Sequence, residues 1–199
     1  MKKKFLNKSI NLIKKNNPNI DDIKLEEIRY GLEAIYLTVT KLVVIFLLAY
    51  LLGITKYVIW LLIFYNLIRI NAFGLHASKS IYCLISSLSM FVGGVYICNY
   101  LNIPFIIKII ISILCIICLF KYAPADTEKR PIINKKKRKR YKILSTVTGI
   151  IYLILIIILK DNLISNYILF GMISSVLMIH PFVYRIFKLP YDNYKNYGV

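Results

Sequence analysis

The chain has two histidines in 199 residues, His76 and His180, and no H-E-x-x-H pattern. That pattern sets two imidazoles and a general base on one helical face around zinc, so its absence argues against a zinc intramembrane protease. Cysteine is also sparse: Cys83, Cys98, Cys115 and Cys118. None sits in a short, loop-rich secreted framework, which argues against a disulfide scaffold. Cys115 and Cys118 form a C-x-x-C, but isoleucine and leucine surround them and no second ligand pair follows. They read as small buried hydrophobes rather than a metal or redox pair. The N-terminus is basic, yet it lacks a continuous apolar stretch and a small-residue cleavage site, so it is not a secretory signal. No metal and no cofactor is expected.

What the chain does have is apolar surface. Hydrophobic residues make up 58% of it and the mean hydropathy is +0.65. A soluble domain of this size does not need that much, and several runs approach the ~20 residues that span a bilayer. The fold class expected is all-α: one polytopic membrane domain over residues 1–199, with six transmembrane helices and a short amphipathic N-terminal region. A net charge of +18 would suggest nucleic acid in a soluble protein. Here the lysines and arginines flank apolar segments, so anionic lipid headgroups are the expected partner and nucleic acid is not.

In residues 1–15, Leu6, Ile10 and Ile13 fall at helical spacing among lysines, which suits either a helix on the membrane surface or a solvated basic tail. Asn16-Asn17-Pro18-Asn19 breaks the chain, and a polar helix is expected to begin at Asp21 or Asp22. The apolar segments are Ala34–Gly53, Ile54–Leu75, Ser80–Leu101, Ile103–Phe120, Ile143–Leu159 and Leu163–Phe187. Residues 1–33 are thus cytoplasmic or interfacial, 34–187 the bundle, and 188–199 a cytoplasmic tail. The second segment is the least clean, because Lys56 and Arg69 leave it only a short uncharged middle. Lys41 and Lys108 lie within spans and are expected to snorkel to an interface, Lys41 having a polar cavity as its alternative. Gly93-Gly94 is expected to let another helix approach closely. His180, without a partner in sequence, is expected to be a structural hydrogen-bonder.

Orientation follows from the basic residues. With both termini inside, 8 Lys/Arg fall in residues 1–33, 2 in 69–79, 10 in 121–142 and 3 in 185–199, which is 23 of the 27. That is the asymmetry the positive-inside rule predicts for six spans in the cell membrane. The cytoplasmic loop 121–142 carries the run Lys135, Lys136, Lys137, Arg138, Lys139, Arg140. Such a run orients the protein or binds lipid headgroups, and it is also placed to dock an acidic peptide.

One polar stretch interrupts the apolar pattern: Arg69-Ile-Asn-Ala-Phe-Gly-Leu-His-Ala-Ser-Lys-Ser-Ile-Tyr-Cys83. Polar groups at membrane depth are expensive, so a cluster of them marks a functional site. His76 and Cys83 supply the two groups a thiol nucleophile needs, a proton acceptor and a sulfur. Seven residues on one unbroken helix would separate them by about 10.5 Å of rise, with both side chains leaning the same way. Proton transfer needs about 3 Å. One unbroken helix therefore cannot pair them: Gly74 is the candidate for the break, leaving His76 in a bent loop that returns toward Cys83, or a second copy of the chain must supply one of the two groups. With the orientation above, this site lies near the cytoplasmic face.

Arg69, Gly74, His76-Ala77, Ser80 and Cys83 resemble the first signature of the AgrB family, membrane endopeptidases that process quorum-sensing pheromone precursors. The run Tyr122-Ala-Pro-Ala-Asp-Thr-Glu-Lys-Arg-Pro-Ile132 resembles its second signature. The resemblance covers nearly the whole chain, and one departure is Phe73, where many members have glycine. It implies a cysteine endopeptidase acting on a small amphipathic propeptide. His76 and Cys83 would be catalytic, with Arg69, Gly74 and Ser80 in support, and the released product would be a cyclic thiolactone or lactone. From the residues themselves, Arg69 steadies the thiolate or oxyanion, or anchors at headgroup level, and Ser80 or Lys79 donates to the same charge. The competing function class is a transporter or non-catalytic membrane scaffold, in which His76 and Cys83 are structural.

Overall fold

The computed structural model describes residues 2–17, 20–75, 80–128, 131–160 and 162–197. Among them there is no strand, and an isolated parallel bridge joins Phe73 and Ala125. The chain forms two compact units, Met1–Tyr50 and Leu51–Val199.

The first unit holds α1 (Lys2–Asn16) and α2 (Asp22–Leu51). Asp22 lies in the first turn of α2, where a carboxylate complements the helix dipole. The polar helix expected there and the first apolar segment are one continuous helix. The first half of α2 runs back along α1. Lys2 pairs with Glu33 at 2.6 Å, the Phe5 ring lies 5.3 Å from Tyr36, and Arg29 donates to Asn7 Oδ1 at 3.4 Å. The amphipathic N-terminal helix is thus present, and its partner is the start of α2.

The second unit is a bundle of α3 (Thr55–Ala72), α4 (Ser80–Leu88), α5 (Gly94–Tyr100), α6 (Phe105–Tyr122), α7 (Lys135–Leu159) and α8 (Leu163–Ile179). The short α9 (Pro181–Ile186) and a 3-10 turn at Asn193–Tyr197 follow. A π-helical turn, Ser89–Gly93, joins α4 to α5, so that Ile81–Tyr100 reads as one span. Helix α8 is apolar on nearly every side and is the most buried, with Ile168, Leu169, Met172 and Ile179 packed inside. A helix without a polar face belongs in the middle of a bundle. It packs on α3, where Ser175 Oγ donates to the Tyr65 carbonyl at 3.4 Å. From α7, Tyr152 donates to the Phe64 carbonyl at 2.9 Å. Of the pair Gly93-Gly94, Gly94 lets helices close in, since a Cβ there would lie 2.7 Å from the Phe170 ring and 2.9 Å from Leu61 Cδ2, whereas Gly93 faces open space.

Among the described residues four helices are long and apolar enough to cross a membrane: Asp22–Leu51, Ile81–Tyr100, Phe105–Tyr122 and Lys135–Leu159. Leu163–Ile179 is a shorter apolar helix, and α3 carries Lys56 and Arg69 within its 18 residues. The outward faces of α2, α4, α6 and α7 are lined with isoleucine, leucine and valine, as lipid contact requires. The protein is an all-α polytopic membrane protein.

Three features differ from the sequence reading. The last apolar segment is not continuous to Phe187. Pro181 lacks an N–H and drives His180 to an extended conformation, φ −73° and ψ 131°, so α8 ends at Ile179. The basic run 135–140 is not loop but the first turns of α7. Lysine and arginine are good helix formers, and Asn134 caps them by accepting from Lys136 N at 2.9 Å and Lys137 N at 3.1 Å. Lys108 does not snorkel. It is 2% exposed, and its ammonium donates to Ser165 Oγ at 2.7 Å and to the Lys160 carbonyl at 3.3 Å, tying α6 to the α7–α8 turn.

Candidate active site

Helix α3 ends at Ala72, and the chain then leaves helical geometry. Phe73 takes φ 57° and ψ −133°, a region that favours glycine, and Gly74 takes φ 111°. The helical break expected around Gly74 is therefore present. The segment 73–75 is held by four sets of bonds. Gly74 N donates to the Ala125 carbonyl at 2.8 Å, Ala125 N returns to the Ala72 carbonyl at 3.0 Å, and Leu75 N donates to the Met178 carbonyl at 3.0 Å. The Arg69 guanidinium reaches forward one turn, donating to the carbonyl of Phe73 and, at 2.7 Å, to that of Leu75. Gly74 has no room for a side chain, since a Cβ would overlap the Arg69 guanidinium and lie 2.9 Å from the Met178 carbonyl carbon. The Phe73 ring stands edge-on to Tyr141, 4.9 Å away. Ala72, Gly74 and Leu75 are buried. This strap carries the chain to the threshold of His76.

His76 lies outside the described residues, as do Ala77, Ser78 and Lys79. Ser80 is the first residue of α4. Cys83 sits in the first turn of that helix, half-buried, and its carbonyl accepts from Ser86 Oγ at 3.1 Å. The other cysteines lie farther along the chain: Cys98 and Cys115 are buried, Cys118 half-buried.

Arg69 has a task the sequence did not disclose. Its guanidinium grips backbone carbonyls, the work a planar fork of donors does well. Tyr65, one turn earlier on α3, was not singled out by sequence. It lies on the same face of α3 as Arg69. The i, i+4 spacing of Tyr65 and Arg69 was the available signal. Tyr184 of α9 donates to the Asp126 carbonyl at 3.1 Å.

The second signature comes to the same place. Its Ala125 pairs with the strap, and the Asp126 carboxylate, buried, accepts from Asn193 N at 2.9 Å, Tyr194 N at 3.0 Å and Ile132 N at 3.3 Å. Tyr191 donates to the Tyr122 carbonyl at 3.4 Å. Burial, with Asp192 next in chain, pushes its phenol above the ordinary range and keeps it a neutral donor. His180 is a structural hydrogen-bonder as expected, its Nδ1 accepting from Phe182 N at 3.2 Å. In the basic run Lys135, Lys136 and Lys137 are exposed, whereas the Arg138 guanidinium lies over the Tyr194 ring. Among the described residues no three His, Cys, Asp or Glu side chains gather as metal ligands.

These features define a polytopic helical membrane protein with a half-buried thiol at a helix start, reached through a clamped break in the preceding helix. Comparison with known proteins sharpens that class. The family model for Accessory gene regulator B matches residues 6–179, and the chain belongs to the AgrB family. It is 33% identical to a putative AgrB-like protein of Clostridium acetobutylicum, over 89% of this chain and 85% of that one. A putative AgrB-like protein of Listeria innocua is 31% identical, over 94% and 91%. Accessory gene regulator protein B of Staphylococcus aureus is 29% identical, over 82% and 85%. No solved structure matches the chain.

Proposed function

We propose that the protein is a membrane cysteine endopeptidase that matures a small quorum-sensing propeptide. The observation that carries this reading is the clamped end of α3 at Phe73–Leu75. It takes the chain out of helical geometry at Phe73–Leu75, just ahead of His76, and so supports a pairing that one continuous helix would forbid. AgrB family membership supports the same reading.

In this mechanism His76 takes the Cys83 proton and the thiolate attacks a peptide carbonyl of the propeptide. The tetrahedral intermediate collapses as His76 returns the proton to the departing amine. The C-terminal fragment leaves, and the N-terminal part stays as a thioester on Cys83. An internal thiol or hydroxyl of the same peptide then attacks the thioester carbonyl, closing a thiolactone or lactone and freeing Cys83. Thioester-to-thiolactone exchange conserves the activated bond and needs no ATP. The first step, amide to thioester, is uphill and is drawn forward by loss of the fragment. Apolar surroundings limit hydrolysis of the thioester. The basic residues favour cytoplasmic termini and a site open to cytoplasmic peptide, with exposed Lys135, Lys136 and Lys137 placed to meet anionic lipid or the peptide's acidic part. A homodimer is compatible with this scheme.

Purified Cys83→Ser and His76→Ala variants, incubated with the propeptide in vesicles, test the reading. Both should lose cleavage while keeping wild-type helix content. Normal cleavage by either would return the thiol and imidazole to structural roles.

A further inference from the structure

The strap before His76 hangs from three neighbours of unequal rigidity. Arg69 is on α3, and Met178 is on α8, both fixed by packing. Ala125 is on the connection between α6 and α7, where no regular helix holds it. What holds it is the next residue. The Asp126 carboxylate is 4% exposed and gathers the backbone N–H groups of Asn193, Tyr194 and Ile132, while Tyr184 donates to the Asp126 carbonyl. The Asn193 amide adds a longer contact to the same carboxylate at 3.5 Å and donates to the Pro190 carbonyl at 3.0 Å. A buried carboxylate answered by N–H groups is a strong and directional tie, since charge-assisted bonds are about twice as strong as neutral ones.

We infer that Asp126 is a positioning residue for His76, and that the C-terminal tail at Asn193–Tyr194 is the part that locks it. The inference rests on the His76–Cys83 reading given above. The tail fixes Asp126, Asp126 fixes Ala125, and Ala125 exchanges two backbone hydrogen bonds with Ala72 and Gly74. The chain thereby enters the His76 segment from one direction only. Proton transfer tolerates little error in distance, so loosening this end lowers the fraction of time the imidazole is within reach of Cys83. The tail is then part of the catalytic apparatus without touching the reacting atoms.

The test reads the Cys83 thiol directly. Full-length protein in vesicles is treated with iodoacetamide at pH 7 and at pH 10, and the Cys83 peptide is quantified by mass spectrometry. Asp126→Asn leaves one oxygen for the three N–H groups and sets an amide against them. Tyr194→Pro removes one of those N–H donors, along with the ring beneath Arg138, and serves if Asp126→Asn does not fold. Both should alkylate at Cys83 roughly fivefold or more slowly at pH 7, like His76→Ala, because an unassisted thiol is only a few per cent thiolate there. At pH 10, where any exposed thiol is ionised, they should match wild type. Lys195→Ala, which breaks an exposed pair with Asp192, should match wild type at both. The inference is overturned if His76→Ala slows the reaction at pH 7 while Asp126→Asn and Tyr194→Pro do not. It is overturned equally if those two lose rate at both pH values, as simple unfolding or occlusion would cause. A His76→Ala protein that reacts like wild type would instead sink the His76–Cys83 pairing, and this inference with it.

Discussion

Gly74 and Ala125, each from a different signature of the sequence, are joined backbone to backbone: Gly74 N–H donates to the Ala125 carbonyl at 2.8 Å. The bond explains why both stretches belong to one site. The first contains His76 and Cys83, the residues proposed to react, and the second holds the backbone that leads to them.

Gly74→Ala should abolish processing. The φ of 111° costs an alanine of order 1–3 kcal/mol, and the added Cβ must displace Arg69 or the Met178 carbonyl. Cleavage of the propeptide should fall by about a hundredfold or more while helix content stays near wild type. Unchanged cleavage would mean that the strap does not position the site.

Arg69→Lys should behave as a severe substitution. A lysine keeps the charge but cannot bridge the Phe73 and Leu75 carbonyls with one planar group. Losing one charge-assisted hydrogen bond, worth about 1.5–3 kcal/mol, predicts a roughly ten- to hundredfold loss in cleavage rate. If Arg69 only anchored the protein at the headgroups, lysine would serve as well and the rate would hold.

The apolar segments and the break at Gly74 were legible because hydropathy and helical rise are local properties of the chain. The tasks of Arg69 and Asp126 were not. Each depends on a carbonyl or N–H group placed by tertiary folding, and backbone partners leave no trace in side-chain pattern. Arg69 therefore reads as a stabiliser of charge or a headgroup anchor, and its bonds to the Phe73 and Leu75 carbonyls show only in the fold. Lys108 read as a snorkelling residue because sequence does not show that Ser165 and the Lys160 carbonyl lie opposite it. The basic run read as loop because its charge drew notice away from its helix propensity and the Asn134 cap. Phe73 stands where many members of the family have glycine, and its positive φ gives that departure a structural meaning.

Lys108→Met tests the turn at the opposite end of the bundle. Removing the ammonium leaves the Lys160 carbonyl and Ser165 with one donor fewer, at a cost of about 1–3 kcal/mol. Thermal unfolding in detergent should shift down by several degrees, with cleavage retained at low temperature. An unchanged midpoint would restore the snorkelling reading.

Orientation is tested with Ile133→Cys, an exposed position just before α7. In right-side-out vesicles a membrane-impermeant thiol reagent should leave it unlabelled, because 10 of the 27 basic residues lie in 121–142. Strong labelling would reverse the topology and put the site outside.

The most direct measurement is of the intermediate. Wild-type protein is incubated with a propeptide whose internal thiol or hydroxyl has been removed, and its cysteine peptides are weighed by mass spectrometry. The account predicts an adduct of the propeptide's N-terminal part on Cys83, formed with release of the C-terminal fragment and suppressed in His76→Ala. An adduct on Cys98, Cys115 or Cys118, or normal cleavage by a Cys83→Ala protein, would contradict it.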